Sequence, residues 1–368
     1  MTLNGTRPAE NGRPVDEGQS IERPWFFTGL LPSGMIAKQS AESTSPFRSI
    51  LDSGSIAWVD HVTTGDFKKE AIAAAIQIGF SRELVTTLVE EAFTSYQDSE
   101  TELGLKIPSI QVRGLDVDPS PLIVLIKRNF IFTIHALSVD RRFSRLRRYG
   151  ETILKKIPSG VPESDRLTSL LIRIVDHNND RNFEHLRQIE EQGDKLNAIM
   201  MDPSTSRAKL GPEIYRMKHA LITYLDALWN TVDVLHTLRY GDAELISDDQ
   251  KLLDKLGMLG EDVNRQIGLA EHMSDVLSSG LEVLQTIYNN QLQSLNNRLA
   301  LLMTYLTIIG TAVLVPNTLA TAMGNSVFEI GPKDLGWYLA LMIGSTVLAT
   351  GLVYWWVRRR GWIPKKME

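Results

Sequence analysis

The sequence predicts an α+β cytoplasmic domain, a long stalk helix and two transmembrane α-helices. Three observations predict this. Short β-branched and aromatic runs alternate with helical periodicities up to about residue 136. A leucine stripe then recurs at steps of three and four from Leu277 to Leu306, with no proline before Pro316. The stripe runs straight into the first of two apolar spans, about Leu299–Met323 and Leu335–Val357, neither of which holds an Asp, Glu, Lys, Arg or His. Each span exceeds the ~20 residues that a helix needs to cross a bilayer's hydrocarbon core.

Residues 1–23 are rich in Pro, Gly, Asn, Arg and Glu and lack an apolar run. They read as a disordered tail rather than a secretory signal, which leaves the first span as the insertion signal. Residues 24–136 form an α/β region. Ile56–Val62 is a strand, and Gly65 and Asp66 open a helix carrying Phe67, Ile72, Ala75 and Ile76. Gly79-Phe80-Ser81 breaks it, and the Ser81 side chain is expected to cap a second helix with Leu84, Val85, Leu88 and Val89 on one face. Ile107–Val112 is a further strand, and Leu122–Ile126 with Phe130–Ile134 makes a hairpin about Lys127-Arg128-Asn129.

Helix dominates residues 137–247. A basic helix covers Arg141–Leu154, and a single amphipathic helix is expected over Ser164–Met200, ended by Pro203. Pro212 is expected to open the next, which carries Met217, Leu221, Leu225, Leu228, Val232 and Leu235 and forms an antiparallel pair with it. Residues 248–298 are the stalk. Continued through the first span, 299–323, that helix is on the order of 100 Å long, and its stripe asks for coiled-coil or bundle packing. Residues 324–334 form an outer loop, 335–357 the second span and 358–368 a basic tail.

The tail's Arg358, Arg359, Arg360, Lys365 and Lys366 outweigh the loop's Lys333, which Glu329 and Asp334 offset. The positive-inside rule therefore puts both termini in the cytoplasm. Trp337 at one end, with Trp355, Trp356 and Trp362 at the other, suits interfacial belts. Net charge is −5 and the basic residues are scattered, so no nucleic-acid partner is expected. The chain has no cysteine, which excludes disulfide and thiolate chemistry. No glycine-rich phosphate loop, nucleophile elbow or histidine pair at metal-ligand spacing on one helix is found, and no enzyme is expected.

On the first span Thr304, Thr307, Thr311, Thr318, Thr321 and Asn325 make a polar stripe, with Met303, Gly310 and Leu314 beside it. A single helical threonine ordinarily bonds back to its own helix or sits between packed helices; a whole stripe in one span reads as a pore wall. Pro316 frees one carbonyl in the preceding turn, and Asn317 and Thr318 are expected to satisfy it. Glu329 and Asp334 would concentrate cations at the outer loop. Upstream, Asn289, Asn290, Gln291, Gln293, Ser294, Asn296 and Asn297 form an uncharged polar belt that suits either a hydrated funnel or a solvated helix face.

The order Asn297-Arg298-Leu299, Met303, Leu306-Thr307-Ile308-Ile309, Pro316-x-Thr318 and Met323-Gly324-Asn325 resembles the CorA family of divalent-cation channels. That family ends the first of its two spans with Gly-Met-Asn and follows the second with a basic tail. Here the signature is permuted and lies two residues closer to Pro316-x-Thr318, and Ala300 stands where the family usually has a pore-lining Asn. The resemblance implies a funnel-shaped homopentamer in a prokaryotic cell membrane. It also implies Mg²⁺ as the transported ion, with Co²⁺ and Ni²⁺ as secondary ions. Mg²⁺ holds its water shell tightly, so neutral oxygens at Met323, Gly324 and Asn325 would accept hydrogen bonds from the hydrated ion, and Gly324 permits close approach. In the family, carboxylates between subunits bind regulatory Mg²⁺; the candidates here are Asp254, Glu261, Asp262, Glu271, Asp275 and Glu282. A Zn²⁺ transporter resembling ZntB and a non-conducting, membrane-anchored helical scaffold are the alternatives.

Overall fold

The computed structural model describes residues 23–92, 94–157, 160–201, 207–324 and 331–360. The chain divides into two units, Met1–Ser278 and Ser279–Glu368.

The first unit is built on one sheet. Its strands are β1 (Trp25–Leu30), β2 (Ile36–Ala41), β3 (Ile56–Thr63), β4 (Tyr96–Asp98), β5 (Leu103–Arg113), β6 (Asp116–Lys127) and β7 (Phe130–Ala136), in the order β2-β1-β3-β7-β6-β5-β4. The central pair, β3 and β7, is parallel, with Ala57 opposite Phe130 and Thr63 opposite Ala136. The other neighbours are antiparallel. The expected hairpin about Lys127-Arg128-Asn129 forms between β6 and β7. In the turn between β5 and β6, Gly114 sits at φ +66, a conformation that favours glycine.

The helices of this unit are α1 (Arg48–Ser53), α2 (Phe67–Ile78), α3 (Arg82–Glu90), α4 (Asp140–Lys155), α5 (Glu163–Asn179), α6 (Asn182–Met201) and α7 (Arg207–Tyr240). Helix α8 (Gln250–Met323) begins here and continues into the second unit. Asp66 starts α2 by accepting from Lys68 N at 3.2 Å and Lys69 N at 3.4 Å, and Gly79 ends it at φ +107. Phe27, Val59, Phe132, Ile134, Ile123 and Leu125 point to the core that α2 and α3 complete with Ala71, Ala75, Leu84, Val85 and Leu88. The intervening residues Trp58, Asp60, Thr133 and His135 are buried on the other face, where α4 packs. Burial on both faces explains why β3 and β7 read as continuous apolar runs rather than alternating ones.

Four local expectations are corrected. Ser81 makes no side-chain cap, and its own backbone N–H donates to Glu102 Oε2 at 2.9 Å. The helix expected over Ser164–Met200 is broken into α5 and α6 around Asp180. Pro212 lies inside α7, which starts at Arg207, rather than opening it. Strands β1 and β2, the short β4 and helix α1 were not expected as separate elements.

The second unit holds the rest of α8, a 3-10 turn over Pro332–Asp334 and α9 (Leu335–Arg359). Helix α8 is 74 residues long and runs unbroken through Pro316. Both α8 and the segment Pro332–Arg359 are long and apolar enough to cross a membrane.

Candidate functional site

Within the second unit, α8 is half-buried along one face and exposed along the other. Leu301, Thr304, Ile308, Thr311, Val315, Leu319 and Met323 recur at steps of three and four on the covered side. Helix α9 also has a less exposed face, with Tyr338, Met342, Ser345, Ala349, Val353 and Val357. The opposite side of α8 is exposed. It carries Met303, Thr307, Gly310, Leu314, Asn317, Thr318, Thr321 and Gly324, again at helical spacing.

The predicted polar stripe is therefore split. Thr307, Thr318 and Thr321 share the exposed face with Met303, Gly310, Leu314 and Asn317, while Thr304 and Thr311 turn toward the covered one. Asn325 and Glu329 lie outside the described residues.

Every threonine of the stripe donates its hydroxyl back into the helix. Thr304 bonds Ala300 O at 2.9 Å, Thr307 bonds Met303 O at 2.8 Å, and Thr311 bonds Thr307 O at 2.9 Å. Thr318 bonds Leu314 O and Thr321 bonds Asn317 O, each at 2.8 Å. This spends the donor but leaves each oxygen's remaining lone-pair capacity to accept. A wall of acceptors suits water molecules bound to a cation, because such waters present hydrogens. Pro316 has no N–H to offer the Ala312 carbonyl one turn back. The Thr318 hydroxyl does not donate to that carbonyl, contrary to expectation; it donates to Leu314 O.

Gly324 closes α8, its N–H meeting Ala320 O at 2.8 Å. A Cβ there would stand 3.1 Å from the same carbonyl, so the chain turns most easily with glycine. Asp334 closes the 3-10 turn before α9 and makes no side-chain cap to α9 itself. It accepts from Gly331 N at 3.0 Å and from Trp337 Nε1 at 3.2 Å, while its charge stays at the loop. At the far end of α9, Arg359 lies over Trp355 at 5.1 Å and Arg360 over Trp356 at 5.2 Å.

The carboxylates proposed from the sequence for regulation lie on α8 without converging. Asp254 accepts from Gln250 at 2.8 Å and sits 4.0 Å from Arg239, Asp262 pairs with Arg265, and Glu271 and Asp275 lie one turn apart on the helix, with no third carboxylate or histidine placed to join a metal site. Among the described residues of one chain, no group of three or more His, Asp or Glu is placed to hold a metal.

Beyond Tyr288 the leucine stripe of α8 stays exposed within the single chain. Leu292, Leu295, Leu299, Leu302 and Leu306 are each exposed, Leu306 to 67%. Exposed apolar surface of this extent marks contact with lipid or with other chains.

Sequence reasoning missed a buried ionic cluster under the sheet. Asp60 is 1% exposed and accepts from Thr133 Oγ1 at 2.5 Å and Arg147 Nη1 at 2.6 Å, with His135 Nε2 at 3.2 Å from its Oδ1. Arg147 also bonds Asp140 and lies 3.8 Å over the Phe26 ring. Burial alone would raise the Asp60 pKa, but His135 and Arg147 overcome it and hold the carboxyl at about 2. The signal was an acid inside the apolar run Ile56–Val62.

The family model of the CorA-like Mg²⁺ transporter protein matches residues 53–359. The chain is similar to the complete structure of the CorA magnesium transporter from Methanocaldococcus jannaschii, with TM-score 0.65 and 17% identity, covering 94% of this chain and 100% of that one. It is similar to the structure of the full-length CmaX protein at TM-score 0.56 and 18% identity, covering 93% and 99%. At these identities the likeness is one of fold. The cytoplasmic domain of ZntB from Vibrio parahaemolyticus RIMD 2210633 matches at TM-score 0.46 and 15% identity over 70% of this chain and 97% of that one, too distant to bear on the ion. No curated protein matches the chain.

Proposed function

The chain belongs to the CorA-like Mg²⁺ transporter family, whose members carry ions and are not enzymes, and from that premise we propose that it is a homopentameric channel passing hydrated Mg²⁺ inward. Co²⁺ and Ni²⁺ are secondary ions, and both termini lie in the cytoplasm. What carries the reading is the uncharged face of α8 left exposed by the chain: Met303, Thr307, Gly310, Leu314, Asn317 and Thr321. One chain with two spans cannot enclose a pore, so copies must bring these faces together.

Stripping Mg²⁺ of water needs charged oxygen ligands, and this span has none. The ion therefore passes with its inner shell intact. Asn325, with the carbonyls of Met323 and Gly324, accepts from that shell at the outer mouth. The loop charges Glu329 and Asp334 raise local cation concentration. Below the mouth the Thr321, Thr318 and Thr307 oxygens accept in turn, and Met303, Gly310 and Leu314 set the width between them. Mg²⁺ bound between subunits by Asp254, Glu261, Asp262, Glu271 and Asp275 would hold the closed state, which is a part the single chain leaves to assembly.

Ion flux into liposomes containing only this protein tests the reading, with Mg²⁺ and Zn²⁺ run side by side. Mg²⁺ entry is expected. Zn²⁺ entry without Mg²⁺ would move the chain to zinc transport, and no flux of any divalent ion would leave a membrane-anchored scaffold.

A further inference from the structure

Where the ends of β5, α4 and the α5–α6 junction meet, the first unit has a cavity of about 340 Å³. Its wall carries Arg113, Arg141, Arg142, Arg145, Arg181 and His185, against the single carboxylate of Asp180. Among the described residues, none of those arginines enters an ion pair.

Arg142 is fixed rather than neutralised. Nη1 donates to Asn178 O and Nη2 to Ile110 O, both at 2.7 Å. Neutral carbonyls hold the guanidinium in place and leave its charge facing the cavity. His177 Nε2 lies 3.1 Å from Arg142 O and braces the same turn of α4. His185 is 7% exposed, and its Nδ1 has no hydrogen-bond partner among the described residues. A buried polar atom without a partner is uncommon and calls for an explanation.

Both groups are perturbed by burial first and by neighbouring guanidiniums second. Burial, then Arg142 and Arg181, hold His185 down at about 4. Burial, then Arg181, bring Arg142 down to about 10. Cations gathered about one concavity repel each other, and an anion placed among them relieves the repulsion. Guanidinium forks match phosphate oxygens bidentately. The volume lies within the range of small-molecule sites and far above that of a halide ion.

We propose that this cavity binds a soluble polyphosphate anion, of the diphosphate class, with Arg142 and His185 at its floor and Arg145 and Arg181 at its rim. The site is built from residues of the first unit alone, and the proposal does not depend on which ion the chain carries.

The test is calorimetric titration of the full chain in detergent with inorganic pyrophosphate, divalent cations removed. Saturable binding of one pyrophosphate per chain is expected, tighter than inorganic phosphate. Removing Arg142 also removes structural hydrogen bonds to Ser109, Ile110 and Asn178, so the deciding variant is the double change Arg145→Gln, Arg181→Gln at exposed positions. It should weaken binding about tenfold or more, while Arg82→Gln, exposed on α3, should leave it unchanged. The proposal is overturned by an absence of saturable binding up to about 1 mM, or by equal weakening in Arg82→Gln, which would mean diffuse surface charge. It also falls if phenylglyoxal fails to reach Arg145 and Arg181 in the ligand-free oligomer, which would mean a second copy fills the cavity.

Discussion

Arg147 reaches from α4 into the sheet and donates to Asp60 Oδ2 at 2.6 Å, pinning the helix to the central strand β3. Both side chains are buried, and Thr133 and His135 of β7 complete the carboxylate's partners. The pair thus locks the parallel junction of the sheet to the helical layer.

Asp60→Ala is expected to destabilise the first unit by about 3–5 kcal/mol, because it strands a buried guanidinium that Asp140 alone then answers. Urea unfolding followed by tryptophan fluorescence measures it. The Asp60 carboxyl titrates lower folded, at about 2, than at its ordinary 3.8. Its contribution is therefore complete above the ordinary value and is lost as pH falls through about 2. A variant as stable as the parent would remove the pair from the account of the fold.

Two histidines set a milder acid limit. Burial holds His61 at about 4, with Asp60 pulling the other way, and His185 sits at about 4 for the causes given above. Between the ordinary 6.5 and about 4 the unfolded chain takes up protons that the folded chain refuses. Stability should fall as pH drops through that window and should be flat from neutral to mildly alkaline pH. His61→Gln should reduce the slope of unfolding free energy against pH in that window. An unchanged slope would mean that His61 gains its proton without unfolding.

The membrane part was legible because its signals are local. A span without charges, a stripe at steps of three and four, and a motif order all survive without tertiary context. The sheet was partly legible for the same reason: β3, β5, β6 and β7 are apolar enough to stand out. Strand β2 was not, since Lys38, Gln39 and Ser40 at the sheet's edge dilute it, although the Pro32-Ser33-Gly34 turn, with Gly34 at φ +81, was a usable sign. The α5–α6 break hides because the buried side chains on either side, Asn178 and Asn182, are held by Pro108 O and Gln266 rather than by apolar contacts. The Asp60 cluster joins groups 75 and 87 residues apart, so only the register of β3 on β7 reveals it. The split of the threonine stripe follows from the half-buried face of α8, which no spacing within α8 encodes.

Assembly should depend on the exposed stripe of α8. Leu292 and Leu295 lie on it, 41% and 54% exposed in one chain, outside the apolar span. Leu292→Glu with Leu295→Glu places like charges where copies would meet and should shift native mass in mild detergent from pentamer toward smaller species. The unfolding midpoint of the first unit should stay put. A pentamer of unchanged stability would mean that this stripe does not face other copies.

The absence of cysteine lets single thiols decide what the exposed face of α8 sees. Thr307, Leu314 and Thr321 lie on that face, whereas Thr304, Ile308 and Val315 lie on the half-buried one. If the exposed face lines water, cysteine at Thr307, Leu314 or Thr321 should react with a water-soluble, positively charged methanethiosulfonate, and flux should fall. Cysteine at Ile308 or Val315 should react slowly and leave flux intact. Lipid contact predicts no reaction at any of the positions, because the reagent does not partition into hydrocarbon. Asn325→Ala completes the test at the mouth: it should abolish preference for Mg²⁺ over Ca²⁺ while assembly stays intact. Thr318→Ala should be milder, since its hydroxyl already donates to Leu314 O at 2.8 Å and one lost acceptor contact is worth about 1 kcal/mol. Should Asn325→Ala keep both rate and preference while thiols at Thr307 and Thr321 still block, selection lies deeper, in the ring of threonine oxygens. Should none of the exposed-face thiols block, α8 does not line the path at all.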